Sequence, residues 1–471
     1  MRVTSHSRAR TNFDRSIFDR TKFAFWAAFL VRVAYLTFAH TYRIRPFPDH
    51  FEYGWEMGRI ARALATGYGY ADPFAGHTGP TAWVTPLYPL LMAFVFKLTG
   101  IYTLTSAWIL LTLNSLFSAL TVFPIAAIAR RCFAALGPAR AASIRHWAVW
   151  LWALYPAAMQ YAVRWVWESS LSTLLFTCVF ALALRMHQQP PPDDPKRDTK
   201  REPKRDPGRP IVRDWALFGL IWGAIALANP ALVLFLPFAG IWILIGQARS
   251  LPRALPRALA GASLSAVVFL AILAPWMMRN ARVFHHFVPL RANFGAELCL
   301  GNGPGAVGML MEYNHPQKDP RQLRLYTAMG EYRYAQMRGA LAKRTIRADR
   351  WLFVRNTLKR LDFFWFGVPS ASGDVASRFF RSLSFGFLST AGLLGLLLAL
   401  RRHVYGAWLF TFAFLTLPTL YYFVTVHARF RHPLEPLIAL LGVYLFQSAQ
   451  SRSSETRLPA RSTVDPTGVS S

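Results

Sequence analysis

The sequence is short of charge. Asp, Glu, Lys and Arg make up 16% of its 471 residues, where a soluble domain carries about a quarter. It is shorter still of acid, with 23 Asp and Glu against 53 Lys and Arg and a net charge of +30. Its three cysteines, Cys132, Cys178 and Cys299, are too few and of the wrong parity for a disulfide framework, and no CxxC or Cys/His spacing suits zinc. The run Gly301-Asn-Gly-Pro-Gly305 lacks the Gly-Lys-Ser/Thr of a nucleotide-binding loop. What is present is apolar: 54% hydrophobic residues, in long runs with the basic residues between them. That pattern excludes a soluble nucleic-acid binder and a disordered basic chain, and points to a polytopic membrane protein.

A bilayer core takes about 20 apolar residues as a helix. Segments of that kind lie at 23–40, 104–129, 146–159, 168–186, 214–228, 231–247, 257–277, 383–400, 406–426 and 433–448. The stretch 84–98, with two prolines near its start, reads as a re-entrant or interfacial helix. This choice keeps Arg130, Arg131, Arg140 and Arg145 on the cytosolic side. The segments then predicted inside carry 27 of the 53 Lys and Arg. The expected fold is an all-α polytopic bundle of about ten transmembrane helices, with two outer-face loop regions and both termini in the cytosol. Its parts are a basic leader 1–22, an N-terminal membrane module 23–186 with a first outer loop 41–103, and a disordered cytosolic linker 187–213. Central membrane helices 214–277, an outer-face loop 278–382, C-terminal membrane helices 383–448 and a disordered cytosolic tail 449–471 follow. The leader resembles a signal peptide without a cleavage site, and so predicts an uncleaved anchor.

In the first outer loop, Tyr53, Met57, Ile60, Ala61 and Leu64 share one helix face, with Glu52, Glu56, Arg59 and Arg62 away from it. That spacing predicts a helix lying flat on the membrane surface and ended by Gly67. Asp49 opens an Asp-x-x-Glu capping-box pattern with Glu52. It suits equally a carboxylate held where outer water meets lipid. Glu168 precedes a span and fits either a dipole-complementing acid or a functional one. Arg32 lies inside the first span and should face the bundle and meet a carboxylate or carbonyl. The second outer loop holds 17 Lys and Arg against 7 Asp and Glu, a basic field suited to an anionic headgroup or acceptor. Its stretch from about Gln322 to Arg360 reads as helical.

Several of these residues, in this order, carry a family resemblance. They are Asp49 after the first span, the Glu56-to-Leu64 helix, Gly67-Tyr-Gly69, Pro86-x-Tyr-Pro, Arg164-Trp-Val-Trp-Glu168, Pro275-Trp-Met-Met-Arg279-Asn280, and Arg429-Phe-Arg431-His432-Pro-Leu-Glu435-Pro. Over 30–445 the chain resembles the GT-C superfamily of integral membrane glycosyltransferases, in particular the branch of protein O-mannosyltransferase-like and aminoarabinose-transferase-like enzymes. The resemblance implies that a sugar leaves a polyprenyl-phosphate-linked donor for an acceptor protein, lipid or glycan, with inversion, at the outer face of a bacterial inner membrane. It casts Asp49 as general base and Glu168 as the second acid. Arg59, Arg62, Arg279, Arg429 and Arg431, with His432, are the candidates for holding the phosphate. His50, Glu52 and Arg32 are supporting residues. No cofactor is required by the residues; a divalent metal shared by Asp49, Glu52 and Glu168 is compatible with them but not compelled by spacing. The expected partners are the lipid-linked sugar, its acceptor and membrane lipids, without nucleic acid. His50 stands where the best-known relatives carry a second acid, which puts a donor-binding acidic pair in doubt. Two other classes stay open on the residues alone: a transporter or flippase of lipid-linked sugars, and a non-catalytic membrane assembly protein.

Overall fold

A computed structural model describes residues 4–44, 50–187, 209–250, 255–309, 314–367 and 375–455. Most of the expected linker and the end of the expected tail lie outside them, as does Asp49. Among the described residues there is no strand, only an isolated bridge between Ala71 and Pro80. The helices are α1 (Thr4–Phe38), α2 (Trp55–Ala65), α3 (Leu87–Thr99), α4 (Leu104–Leu120), α5 (Val122–Cys132), α6 (Pro138–Leu154), α7 (Pro156–Arg164), α8 (Ser169–Met186), α9 (Arg209–Ala228), α10 (Leu236–Ser250) and α11 (Leu255–Phe284). The second outer loop holds α12 (Phe294–Asn302), α13 (Pro320–Met329), α14 (Glu331–Ala348) and α15 (Arg350–Phe366). The chain closes with α16 (Val375–Arg401), α17 (Ala407–Phe423) and α18 (Glu435–Glu455).

Among the described residues six helical stretches are long and apolar enough to cross a membrane: Arg20–Phe38, Leu104–Cys132, Ser169–Met186, Pro230–Arg249, Leu255–Phe284 and Leu383–Arg401. The chain is an integral membrane protein. The remaining four expected spans fall on α6, α9, α17 and α18, which are helical but not among those six. The α3 helix, at 13 residues, is as short as the sequence suggested.

Proline moves one boundary. The expected span 146–159 ends at Leu154, because Pro156 holds Tyr155 extended (φ −65°, ψ 119°) and starts α7. Helices meet through small residues. A Cβ on Gly219 of α9 would stand 2.3 Å from the Ser265 carbonyl of α11, and one on Gly395 of α16 would stand 2.1 Å from that of Leu441 in α18. Arg32 is fully buried in the bundle, where its guanidinium donates to the carbonyls of Ala153 (2.6 Å), Ala28 (3.0 Å) and Trp152 (3.3 Å). Two of these belong to the last turn of α6, whose carbonyl end favours a cation.

The first outer loop departs from its expected form. The α2 helix begins at Trp55, behind Gly54 in the left-handed conformation (φ 84°), with no side-chain cap. The Asp49-x-x-Glu52 pattern therefore does not open it. The apolar face is buried as expected, but Glu56 and Arg59 on its other side are buried too. The second outer loop covers this charged side, with His315 Nε2 3.5 Å from Glu56 Oε1. Its end is as read, with Tyr68 N–H closing on Ala63 O at 2.9 Å around Gly67 (φ 89°).

Candidate active site

The two outer loops meet along one short extended segment. Thr81-Ala82-Trp83 follows a turn organised by Asp72, whose carboxylate accepts the N–H groups of Thr78 and Gly79 at 2.8 and 2.9 Å. The second loop grips this segment from several sides. Arg279 donates to Thr81 O and Tyr70 O, each at 2.6 Å. Ala292 N–H donates to Ala82 O at 3.1 Å, and Arg291 Nε to Trp83 O at 2.7 Å. Buried Glu331 accepts from Ala82 N–H (2.8 Å), the Tyr326 hydroxyl (2.7 Å) and the Thr81 hydroxyl. Burial pushes the Glu331 carboxyl above its ordinary pKa, and these donors partly offset the shift.

Behind that seam lies a cavity of about 610 Å³ where the outer loops cap the helix ends. Trp55, Trp83, Trp165 and Trp167 wall it, and Ala228 to Ala231, Leu234, Leu420 and Tyr421 give it an apolar side at the ends of the membrane helices. Four carboxylates line it, Glu52, Glu56, Glu168 and Glu297, together with Arg291, Lys318, Arg429, His315 and His427.

Glu168 stands at the N-terminus of α8 without capping it. It is buried, and its Oε2 has no hydrogen-bond partner. Desolvation pushes its carboxyl up to about 7, against the opposing pull of Arg429 and Arg291. Desolvation likewise raises Glu56. The Arg429 guanidinium lies over the Trp167 ring at 4.4 Å and near Trp165 at 5.9 Å, with Nε unpaired. An arginine stacked on indole keeps the edge of its donor fork available. His427 accepts from Arg429 N–H at 3.3 Å, and burial lowers its pKa to about 3, so it is neutral. Arg291 is anchored through Nε, and its Nη2 is 3.7 Å from Glu297 Oε1.

Of the residues singled out in the sequence, Glu52, Glu168 and Arg429 share this cavity. Asp49 lies outside the described residues, and the other described candidates stand elsewhere. Arg59 is buried, donating to Phe74 O at 3.4 Å with Phe51 5.6 Å away. Arg62 borders a separate small cavity with Asp72 and His77. Arg279 grips the seam. Arg431 donates to Trp365 O (3.0 Å), Phe385 O (3.2 Å), Ser389 Oγ and Glu435 Oε1 (3.3 Å), while His432 Nδ1 is 2.7 Å from Glu435 Oε2. Both side chains are fully buried away from the cavity. Arg279, Arg431 and His432, expected on a phosphate, are engaged by carbonyls, the Ser389 hydroxyl and the Glu435 carboxylate instead. His50 stacks on Tyr102 at 4.9 Å. The sequence reading missed Arg291, His315 and Lys318, which only the packing of the second loop brings to the cavity. Among the described residues no group of three His, Cys, Asp or Glu is placed to hold a metal.

No protein-family model and no curated protein matches the chain. Solved structures do. The oligosaccharyltransferase of Archaeoglobus fulgidus in its apo form is similar at 13% identity and TM-score 0.50, over 94% of this chain and 51% of that one. The same archaeal enzyme, AglB, in complex with an inhibitory peptide and a dolichol-phosphate, gives 13% identity and TM-score 0.48 over 94% and 53%. ArnT from Cupriavidus metallidurans bound to undecaprenyl phosphate gives 16% identity and TM-score 0.34 over 94% and 79%. The chain spans about half the length of the oligosaccharyltransferase it matches. At such identities the likeness is one of fold: this chain shares a polytopic helical fold with the Archaeoglobus oligosaccharyltransferase.

Proposed function

We propose that the protein is a membrane glycosyltransferase that moves a sugar from a polyprenyl-phosphate-linked donor to an acceptor at the outer face of the membrane. The observation that carries this reading is the pairing, on one cavity at the helix ends, of a buried carboxyl with a free oxygen (Glu168) and a cavity-facing guanidinium (Arg429). The Archaeoglobus oligosaccharyltransferase, whose fold the chain shares, has been solved with a dolichol-phosphate, which supports the donor class.

Inverting transfer needs a base for the acceptor hydroxyl, cations for the departing phosphate and an apolar berth for the prenyl chain. Arg429, Arg291 and Lys318, which line the same cavity, would hold the phosphate oxygens. The apolar side formed by Leu234, Leu420 and Tyr421 faces where a prenyl chain would enter. Tryptophan walls suit the flat face of a sugar ring. Asp49 takes the acceptor proton, and Glu168, titrating near 7, orients the acceptor hydroxyl by accepting from it. Attack forms the new glycosidic bond at the anomeric carbon as the bond to the phosphate oxygen breaks and the polyprenyl phosphate leaves. If a divalent cation takes part, Asp49, Glu52 and Glu168 are the residues that would hold it.

The test is purified protein in lipid nanodiscs, given a labelled polyprenyl-phosphate-linked sugar and candidate acceptors. An enzyme of this kind releases free polyprenyl phosphate and labels the acceptor. A flippase would move the donor with its sugar–phosphate bond intact, and an assembly protein would do neither; either result overturns the reading.

A further inference from the structure

The α15 helix mixes polarity on both sides. Beside buried Phe364 and Trp365, its inward face holds two polar side chains: Asn356 donates to Ala306 O at 3.2 Å, and fully buried Arg360 donates to Gly308 O and Tyr422 O, both at 3.2 Å, to Asn302 Oδ1 at 2.9 Å, and to Gly301 O. Its outward side carries an apolar stripe. Trp351, Val354, Leu358 and Leu361 recur at helical spacing and are 73%, 42%, 60% and 43% exposed. A water-facing helix shows the reverse pattern. Four large apolar side chains in one exposed stripe form the kind of patch that marks an interaction surface.

Charge and position say what covers it. Exposed Arg350, Arg355 and Lys359 flank the stripe, Asp362 being the one acid in α15, and exposed Lys343, Arg344 and Arg347 continue the basic edge from α14. The helix also packs on the membrane bundle. Trp365 Nε1 donates to the Tyr422 hydroxyl of α17 at 2.7 Å, and the Phe353 ring lies 6.3 Å from that of Phe423. The helix thus adjoins the ends of α16 and α17, where Phe387 and Phe423 are also exposed. Tryptophan and long cationic side chains on such a helix are the usual anchors at a membrane interface.

We propose that α15 is an interfacial helix of the outer leaflet, its Trp351–Leu361 face in the acyl-chain boundary and its basic edge on anionic lipid headgroups. The second outer loop is then not a free aqueous domain; it is held down beside the cavity by the membrane it works on.

The test uses the full chain in nanodiscs of phosphatidylcholine with about one third phosphatidylglycerol. A nitroxide is attached at Leu358→Cys in a Cys178→Ala background, and its relaxation by lipid-soluble oxygen and by a water-soluble nickel complex is compared. Oxygen should dominate by roughly threefold or more at Leu358, and nickel at the control Lys343→Cys. Nickel dominance at Leu358 overturns the proposal. A label shielded from both reagents overturns it in favour of a protein partner or second copy. Trp351→Cys gives the same reading if Leu358→Cys fails to fold. Adding Arg355→Glu and Lys359→Glu should shift the Leu358 label toward the nickel complex in the anionic discs and not in pure phosphatidylcholine; an equal response in both overturns the headgroup contact.

Discussion

Arg429 and Arg431 stand two residues apart in the 3-10 helix Ala428–Leu434 and meet opposite surroundings. With about three residues per turn, such neighbours point to different sides. Arg429 lies along the cavity wall, stacked on Trp167 with a free Nε. Arg431 is fully buried, bound to Glu435, Ser389 and two carbonyls, and His432 completes the group from the other oxygen of Glu435. The same contrast runs through the molecule. Arg32, Arg279 and Arg360 close helix ends and loops by donating to carbonyls, whereas Arg291 and Arg429 line the cavity. In a chain this basic, the useful distinction among arginines is between those wholly engaged in tying backbone together and those that also face the cavity, as Arg291 does while holding Trp83 O.

The largest effect should come from the acid the sequence puts ahead of the cavity residues. Asp49→Asn should lower transfer by about 10²- to 10⁴-fold, the scale of a general base, without changing thermal unfolding. Activity within about threefold of the parent would remove Asp49 from the chemistry.

Next comes the contrast between the two arginines. Arg429→Ala should cost about 10²-fold in kcat, the scale of one electrostatic stabiliser, with little change in Tm. Arg431→Ala should destabilise by about 3–5 kcal/mol, because it strips a buried carboxylate of its arginine partner, and should lose activity only as it loses fold. If Arg431→Ala unfolds normally but lacks turnover, or Arg429→Ala melts early, the division fails.

Glu168 gives a smaller and pH-dependent effect. Its folded pKa of about 7 lies above the ordinary 4.3 or so of an unfolded glutamate. Its neutral form is thus favoured in the fold. That stabilisation is complete below the unfolded value and is lost as pH rises through about 7. Turnover should climb over the same range as the carboxylate forms. Glu168→Gln should lower activity roughly tenfold at pH 8, flatten this limb, and make Tm less sensitive to pH between about 4.5 and 7. An unchanged limb would assign that titration to another group.

The apolar runs made the bundle legible in the sequence, and so did the polarity of Arg32 inside a span, since a cation in lipid must find partners. The break at Tyr155-Pro156 was also available from proline chemistry, but hydropathy overrode it. The cavity was legible only in part. Glu168 and Arg429 stood out beside Trp165 and Trp167, yet nothing local separates Arg429 from Arg431. The difference lies in Ser389, Phe385 and Trp365, residues 40 or more positions away in the chain. Arg291, His315 and Lys318 were hidden for the same reason, since they reach the cavity only once the second loop closes over α2. The helix period of α2 was right, but burial of its charged side depends on that same closure.

The smallest expected effect bounds the comparison from the other side. Arg62 belongs to the same α2 helix as Glu56, which lines the large cavity, but it borders the small cavity formed with Asp72 and His77. That cavity is closed by a turn whose own needs are met within it: His77 Nδ1 is 3.0 Å from Asp72 Oδ2, and Asp72 Oδ1 takes two backbone N–H groups. Because Arg62 stands off the large cavity, Arg62→Ala should leave kcat and KM for the lipid-linked donor as they were. A rise in KM of about tenfold, the scale of a lost charge contact to phosphate, would mean that the donor reaches past the cavity to this side of α2, and the boundary drawn at Arg429 and Arg291 would have to widen.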